Sequence, residues 1–227
     1  MSKKPTKKSD ENKTWISKRK NRYIKSSLEY YLIICEGTKT EPNYFNEIKE
    51  KMSDNNKNKI TIEIVGIGKG TTNLLEYAKK KVQKSTNYIS NVWLIYDKDD
   101  FSNESFNKVE EECKKINKEE QTIYNAIWSN ESIETWILLH FIRFDIPMSR
   151  KDCIKKINQN FKQNKIGEYK KNSSNLYEKL QPYLDVAIEN AKWLDKKNKN
   201  NKPSDSNPCT KVYKLVEILN KYIEDKN

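Results

Sequence analysis

The sequence predicts an α/β fold in which helices flank a four-stranded parallel sheet and a helical C-terminal half follows. Two observations predict this class. Short apolar runs alternate with amphipathic helical patterns as far as residue 127, and only helical patterns follow residue 130. Strands that alternate with helices pair in parallel through right-handed crossovers. With 227 residues, the chain is long enough to bury a core of this size.

The first half of the sheet comes from two apolar runs. Leu28–Cys35 predicts a first strand, and Glu41–Met52 predicts a helix after it. Ile60–Val65 predicts a second strand, because isoleucine recurs there at every second position. Thr72–Lys84 then predicts a helix with apolar residues along one face.

The same alternation continues along the chain. Val92–Tyr96 predicts a third strand, Glu104–Lys118 a strongly charged helix, and Thr122–Ile127 a fourth strand. Because the strands are parallel, their carboxyl ends are expected at one edge of the sheet.

The C-terminal half is predicted as four helices, at about 131–143, 149–162, 173–195 and 208–225. The last of these has the clearest start, because Asn207 is suited to cap it and Pro208 to occupy its first position. Its apolar stripe is expected to pack on the rest of the domain.

The positive charge is concentrated at the N-terminus. Residues 1–27 hold ten Lys and Arg against Asp10 and Glu11, which gives +8 of the net +12. So basic a segment with few apolar residues is predicted to be disordered and suited to nucleic acid phosphates; a solubilising leader is the alternative. The sequence thus divides into this tail at 1–27, an α/β core at 28–145 and a helical extension at 146–227 that packs on the core.

Composition argues against two other classes of protein. No stretch approaches the ~18–20 apolar residues that a membrane-spanning helix needs, and the N-terminus lacks the apolar core of a signal peptide. The four cysteines are widely separated and accompanied by a single histidine, which favours neither a zinc site nor a disulfide framework. We therefore expect a cytoplasmic protein with reduced thiols and no membrane contact.

Acidic residues directly follow two of the predicted strands. Glu36 comes after the first strand, and Asp97 and Asp99 come after the third, on one face if the strand continues. An open α/β sheet places its active site at these strand ends. Two carboxylates ~4 Å apart repel by roughly 4 kcal/mol at an effective dielectric of 20, and a divalent cation neutralises them. The pattern favours metal-dependent chemistry on phosphates; the alternative is a loop whose aspartates cap the next helix.

A tight loop follows Glu36. Gly37 allows a sharp turn, and Glu41 lies beside Pro42, which suits the first turn of a helix. Glu41 is therefore either a further acidic group of the site or a carboxylate that interacts with the helix dipole.

Glu134 and His140 lie in the first helix predicted for the C-terminal half. Glu134 falls in the first turn of a helix that Asn130 is suited to cap, so it either serves the site or interacts with the helix dipole. His140 lies within an apolar run, which favours a hydrogen-bonded buried side chain over a catalytic one.

Four motifs resemble the RloB-like family, whose members carry a Toprim-like domain, and they occur in the family's order across about residues 28–220. They are Glu36 to Phe45 (EGTKTEPNYF), Asp97 to Asp100 (DKDD), Ser129 and Asn130 with Glu134 to Phe141 (ETWILLHF), and Asn207 to Val212 (NPCTKV). Glu131 and Ile133 replace a proline and an aromatic residue that are usual in the family, while Glu134 keeps its place.

The resemblance implies a Toprim-like, Rossmann-like core with metal-dependent nuclease activity. It implies that Glu36, Asp97 and Asp99 hold Mg²⁺, for which Mn²⁺ substitutes, with Glu41 helping a second ion and Glu134 at the site. In the two-metal scheme, ions ~3.5–4 Å apart activate a water and stabilise the leaving oxygen, and no histidine is required. The resemblance also implies an anti-phage defence role through abortive infection, beside an RloA-like AAA/ABC-type ATPase partner.

Lysines near these motifs are candidates for binding nucleic acid. Lys39 and Lys98 lie inside the acidic motifs, and Lys69 lies among glycines in a loop whose spacing does not match a nucleotide-binding motif. Tyr169, Lys170 and Lys171 form a group that could deliver a cation to the scissile phosphate, and Lys170 is the candidate chosen from it.

Three functions are compatible with the sequence. The first is a Mg²⁺-dependent endonuclease, for which either DNA or RNA fits as substrate. The alternative is a non-catalytic module that binds nucleic acid or an ATPase and keeps its acidic cluster for structure. The third, another Toprim activity such as primase, is disfavoured because no attached domain supplies a template site. A homodimer is also compatible with the sequence.

Overall fold

The computed structural model describes residues 28–68, 71–99, 101–173 and 175–223. The basic tail at 1–27, Lys69 and Asp100 therefore lie outside the described residues. The strands are β1 (Glu29–Cys35), β2 (Ile60–Gly66), β3 (Asn91–Asp97), β4 (Ile123–Asn130) and β5 (Cys209–Thr210). The helices are α1 (Thr40–Glu50), α2 (Asp54–Lys57), α3 (Thr71–Lys84), α4 (Asn103–Ile116), α5 (Glu134–Leu139), α6 (Arg150–Gln163), α7 (Leu176–Leu180), α8 (Leu184–Lys197) and α9 (Val212–Asn220).

One mixed sheet forms the centre of the fold. Its strand order is β2-β1-β3-β4-β5, with β1 to β4 parallel and β5 antiparallel to β4. The α/β class and the four parallel strands are confirmed. The predicted number of strands was wrong, because the described residues form five.

The fifth strand escaped prediction because it has only two residues, too few for an apolar period. Thr210 pairs with Ser129, and Cys209 pairs with Asn130. The chain thus returns from the helical half to extend the sheet beyond β4.

The central strands are buried on both faces, as their continuous apolar runs indicate. The last five residues of β1 and the last six of β3 are buried. Helices α3 and α4 contact each other and the strands β3 and β4, whereas α1 contacts β2 and α9. Right-handed crossovers place α1 on one face of the sheet and α3 and α4 on the other. The strand order therefore reverses between β1 and β3, and a crevice opens there at their carboxyl ends.

Two helix starts in the C-terminal half differ from the prediction. Helix α9 begins at Val212 rather than at 208, so Asn207 does not cap it. Helix α5 begins at Glu134, four residues after Asn130. Asn130 is instead the last residue of β4, and its side-chain amide donates to the backbone carbonyl of Pro203 at 3.1 Å. Both asparagines were therefore wrongly expected to be helix caps.

The helix predicted over 173–195 is interrupted at Pro182. Proline lacks a backbone N–H and its ring clashes with the preceding helical turn. Accordingly, α7 ends at Leu180, a 3-10 turn spans Gln181–Tyr183, and α8 begins at Leu184.

The C-terminal segment is attached to the sheet by a half-buried polar network. The ammonium group of Lys211 forms an ion pair with Asp195 on α8 and lies 4.9 Å from the ring centroid of Trp128 on β4. The Tyr213 hydroxyl donates to Asp195 Oδ2 at 2.5 Å. Burial acts to raise the pKa of Asp195, but the hydrogen bonds from Lys211 and Tyr213 outweigh it and lower that pKa. The division between a core at 28–145 and an extension at 146–227 stays a prediction.

Among the described helices, none is long and apolar enough to cross a membrane. All four cysteines are buried and carry free thiols: Cys35, Cys113, Cys153 and Cys209.

Candidate functional site

Acidic side chains gather in a cleft at the carboxyl ends of β1 and β3. The cleft has a volume of about 270 Å³. Its lining residues come from the loop after β1, the end of β3, the segment after β4 and the region around α6. They are Glu36, Gly37, Thr38, Lys39, Thr40, Glu41, Asp97, Asp99, Ile133, Glu134, Arg150, Lys171 and Asn172.

Glu36 and Asp97 meet across the two neighbouring strands. Glu36 continues β1 by donating its backbone N–H to the carbonyl of Ile95 at 2.9 Å. Its side-chain Oε2 accepts a hydrogen bond from the backbone N–H of Asp97 at 3.3 Å. The Glu36 carboxylate therefore lies against the backbone of Asp97, and both residues line the same cleft.

Asp97 is buried at the end of β3. Its Oδ2 accepts a hydrogen bond from the backbone N–H of Ile133 at 3.1 Å. Burial raises the pKa of Asp97 well above its ordinary value, and the carboxylates of Glu41, Glu134 and Asp99 raise it further. A positive charge close to Asp97 opposes this rise and favours the ionised form.

Asp99 reaches the cleft by a different route from the one predicted. Strand β3 ends at Asp97, so alternation along a strand does not orient Asp99. Instead, Asp99 adopts a φ of 31°, in the left-handed region that aspartate tolerates better than most residues. Its backbone N–H donates to the carbonyl of Glu131 at 3.1 Å, which ties this turn to the segment after β4.

Glu41 is buried in the first turn of α1, and its carboxylate lies over Gly37. A Cβ added at Gly37 would lie 2.4 Å from Glu41 Oε2 and 2.8 Å from Oε1. A side chain at position 37 would therefore displace the Glu41 carboxylate from its place in the cleft. Burial raises the pKa of Glu41, and the Glu134 carboxylate adds to the rise, while Arg150 and Lys171 oppose it.

Glu134 is completely buried, with both carboxylate oxygens hydrogen-bonded. The Tyr169 hydroxyl donates to Oε1 at 3.2 Å, and Arg150 Nε donates to Oε2 at 3.2 Å. Glu134 also lies in the first turn of α5, where the helix dipole favours a negative charge. Glu134 therefore lines the cleft together with the other four carboxylates.

Arg150, which sequence reasoning did not single out, lies among three of the carboxylates. Its Nη1 is 2.9 Å from Asp99 Oδ2, its Nε is 3.2 Å from Glu134 Oε2, and its Nη2 is 3.5 Å from Asp97 Oδ2. Arg150 is the first residue of α6, after Ser149, whose side chain caps that helix. The Ser149 cap is a pattern that the sequence shows. The sequence does not show that the Arg150 side chain turns towards the carboxylates at the end of β3, which lie far from it along the chain.

The donor set suits a hard divalent cation, since oxygen ligands are what Mg²⁺ prefers. Within the described ranges, however, no three Asp, Glu, His or Cys side chains are arranged around a common point as metal ligands. Three of the five carboxylates are instead directed at the guanidinium of Arg150. The cleft therefore fits such an ion by chemistry, while its carboxylates have an arginine as their present partner.

The lysines near the cleft are placed differently from one another. Lys39 and Lys171 line it. The Lys98 ammonium is hydrogen-bonded to the backbone carbonyl of Phe101. Lys170, the predicted phosphate contact, is not among the lining residues and pairs on the surface with Glu168 at 3.3 Å. The cation at this wall of the cleft is thus Lys171, one residue further along the chain.

Lys171 is held in place through its backbone. The Thr40 hydroxyl at the start of α1 donates to the Lys171 carbonyl at 2.7 Å. The backbone N–H of Tyr169 donates to Asn158 Oδ1 on α6 at 2.8 Å. These two hydrogen bonds fix the segment that forms one wall of the cleft.

His140 has no part in this cleft. It is buried, and its Nδ1 lies 3.0 Å from the carbonyl of Trp136, as expected for a hydrogen-bonded core histidine. Burial lowers the pKa of His140 to about 4, so the ring is neutral at physiological pH.

Comparisons with known proteins give one match. A protein-family model described as RloB-like protein matches residues 31–219, which is most of the chain. No curated protein and no solved structure matches.

Proposed function

The chain belongs to the RloB-like protein family, and from this premise and the acidic cleft we propose that it is a Toprim-type, divalent-cation-dependent nuclease. The observation that carries the proposal is the contact between Glu36 and Asp97 at the point where the strand order reverses. Open α/β sheets bind ligands at this point. Three more carboxylates lining the same cleft give it the oxygen-rich character that a phosphate-processing metal site needs.

Glu36, Asp97 and Asp99 would hold Mg²⁺ or Mn²⁺, with Glu41 supporting a second ion. When bound, such ions neutralise charge that develops on the phosphate oxygens during hydrolysis. The residues of the chain supply the rest. Glu36 and Asp97 each accept a hydrogen bond from a backbone N–H, that of Asp97 and that of Ile133 respectively, which fixes both carboxylates in the cleft.

Lys39 and Lys171 are placed to position the nucleic acid backbone. Both line the cleft, and each neutralised phosphate adds a salt-dependent contribution to affinity. The hydrogen bond from Thr40 to the Lys171 carbonyl links the two lysines through the start of α1. A phosphodiester that enters between them meets the carboxylate cluster at the bottom of the cleft.

Proton transfer in this cleft falls to carboxylates or water. His140 is buried and neutral, and it does not line the cleft.

The resemblance to the family also supports a biological setting. We infer an effector of anti-phage defence that acts by abortive infection and associates with an RloA-like AAA/ABC-type ATPase. Copurification of the two proteins after co-expression, with phage challenge of cells that carry both, tests this setting separately from the chemistry.

A second candidate is a non-catalytic module that binds nucleic acid or the ATPase. The ion pairs of Arg150 favour it, because they already neutralise part of the cluster. Such a module would bind its partner stoichiometrically and would be insensitive to divalent cations.

Incubation of the purified full chain with plasmid DNA, single-stranded DNA, messenger-like RNA and tRNA separates the two candidates. We expect cleavage of at least one substrate in Mg²⁺, its loss in EDTA, and a fall of about 100-fold or more in Asp97→Asn and Glu36→Gln. Glu112→Gln removes a surface carboxylate that pairs with Lys115 and should keep the full rate. Cleavage that persists in both site variants would exclude the nuclease proposal.

A further inference from the structure

Arg150 occupies the position among the carboxylates that a cation would take. Asp97 ends β3, Asp99 lies in the turn after it, and Glu134 begins α5, yet all three contact one guanidinium. The Glu134 side chain is 1% exposed and the Asp97 side chain 8%, so water screens them poorly. Arg150 is therefore a cation that compensates the charge of these three carboxylates.

The helix itself does not explain this placement. Arg150 is the first residue of α6, where the positive end of the helix dipole disfavours a cation. Its backbone is fixed there by the Ser149 cap and by a hydrogen bond from its own N–H to Glu131 Oε1 at 3.4 Å. The attraction that orients the side chain must come from the carboxylates.

The hydrogen bonding of the Arg150 guanidinium is also weaker than its donors allow. It contacts three different carboxylates with one atom each, and the distance to Asp97 exceeds that of a good hydrogen bond. A guanidinium forms its strongest pairs with one planar or tetrahedral anion through two parallel bonds. A phosphate group at the cleft would offer Arg150 the two parallel bonds that its present contacts lack.

We propose that Arg150 is an exchangeable counter-cation that couples metal binding to the arrival of a phosphate. Without nucleic acid, the guanidinium holds Asp97, Asp99 and Glu134 and competes with the divalent ion. A phosphodiester draws the guanidinium away and frees the carboxylates for the metal. The side chain is 30% exposed, which leaves it a path towards the mouth of the cleft. This inference rests on the proposed function and explains why no three acidic groups among the described residues converge as metal ligands.

The test is a calorimetric titration of Mn²⁺ into the full chain, with and without a phosphorothioate oligonucleotide that resists cleavage. If Arg150 holds the carboxylates about 90% of the time, its removal tightens Mn²⁺ binding about tenfold. We expect Arg150→Met to bind Mn²⁺ about tenfold more tightly than the unmodified protein without oligonucleotide. The oligonucleotide should tighten Mn²⁺ binding about tenfold in the unmodified protein but little in Arg150→Met, because the variant has no guanidinium for the phosphate to displace; by reciprocity, Mn²⁺ should tighten oligonucleotide binding by the same factor. Arg150→Lys keeps the positive charge but loses the two parallel donors of the guanidinium, so its Mn²⁺ affinity should lie between those of the unmodified protein and Arg150→Met.

Arg143→Met is the matched control, since Arg143 pairs with Glu189 on the surface. It should leave Mn²⁺ affinity unchanged. Metal-free melting adds a readout independent of activity: Arg150→Met should melt at least about 5 °C lower, because it leaves the cluster without its counter-ion, and Mn²⁺ should reverse the loss.

The outcomes separate this inference from the proposed function. Mn²⁺ binding that is weaker or unchanged in Arg150→Met would show that the arginine builds the site or is irrelevant to it, and would overturn the inference alone. Failure of every variant to bind Mn²⁺, with or without oligonucleotide, would instead overturn the proposed function.

Discussion

Replacement of Gly37 by alanine tests whether the position of the Glu41 carboxylate matters. The new Cβ would lie 2.4 Å from Glu41 Oε2, whereas ordinary contact begins near 3.4 Å, so the carboxylate must move by about 1 Å. A misplacement of this size in a catalytic group lowers rates by about 100-fold. The backbone at Gly37 does not lie in the left-handed region, so alanine should change the free energy of unfolding by no more than about 1 kcal/mol.

The assay compares metal-dependent cleavage rates and Mn²⁺ affinities of the unmodified protein, Gly37→Ala, Glu41→Asp and the double variant. Aspartate is one methylene shorter, so it makes room for the added methyl group. The two substitutions should therefore combine non-additively, with the double variant faster than the sum of the single losses predicts. A Gly37→Ala protein that cleaves and binds Mn²⁺ like the unmodified one would refute the reasoning that the Glu41 carboxylate serves the site.

Three further predictions follow from other contacts. Because the pKa of His140 is about 4 when folded and about 6.5 when unfolded, this residue contributes about 3 kcal/mol of stability at neutral pH that is lost as the pH falls from 6.5 to 4; urea unfolding of the unmodified protein and of His140→Gln over this range should differ by that amount. Asp195→Ala breaks the half-buried pair with Lys211 and should lower the free energy of unfolding by about 2–3 kcal/mol; a change below 0.5 kcal/mol would contradict the proposed attachment of the C-terminal segment. Lys171→Ala should slow cleavage by about 100-fold while Lys170→Ala should not, and equal effects would remove the distinction between them.

The sequence predicts the parallel part of the fold because long apolar runs carry enough periodic signal. Leu28–Cys35 differs from the observed strand by one residue at its start, and Val92–Tyr96 differs by one residue at each end. Prediction from the sequence fails where a short polar motif forms the structure. Asn207 and Pro208 satisfy the local rules for a helix start, yet pairing with the end of β4 uses the next two residues as a strand.

The acidic half of the site was predictable for a related reason. Glu36 and Asp97 each follow an apolar strand directly, so topology brings them together without any knowledge of side-chain packing. Arg150 gave no such signal, and the sequence could not distinguish Lys171 from Lys170 beside it. Arg150 and Lys171 reach the cleft from a helix start and an irregular segment, and the spatial position of those elements depends on tertiary contacts such as that between Thr40 and the Lys171 carbonyl.

The cleft also links cation binding to the stability of the whole fold. Burial raises the pKa of Asp97 and Glu41, and an acid with a higher pKa in the folded state makes stability fall as pH rises through its unfolded pKa. Near neutral pH the cluster therefore works against folding, and Arg150 compensates it only in part. An ion that binds only the folded chain adds about 2.7 kcal/mol at 100 times its dissociation constant. A melting temperature that rises with Mg²⁺ in the unmodified protein but not in Asp97→Asn would thus identify a metal site at the cleft without any substrate. If the cluster is purely structural and Arg150 already satisfies it, the protein should melt at the same temperature in Mg²⁺ and in EDTA.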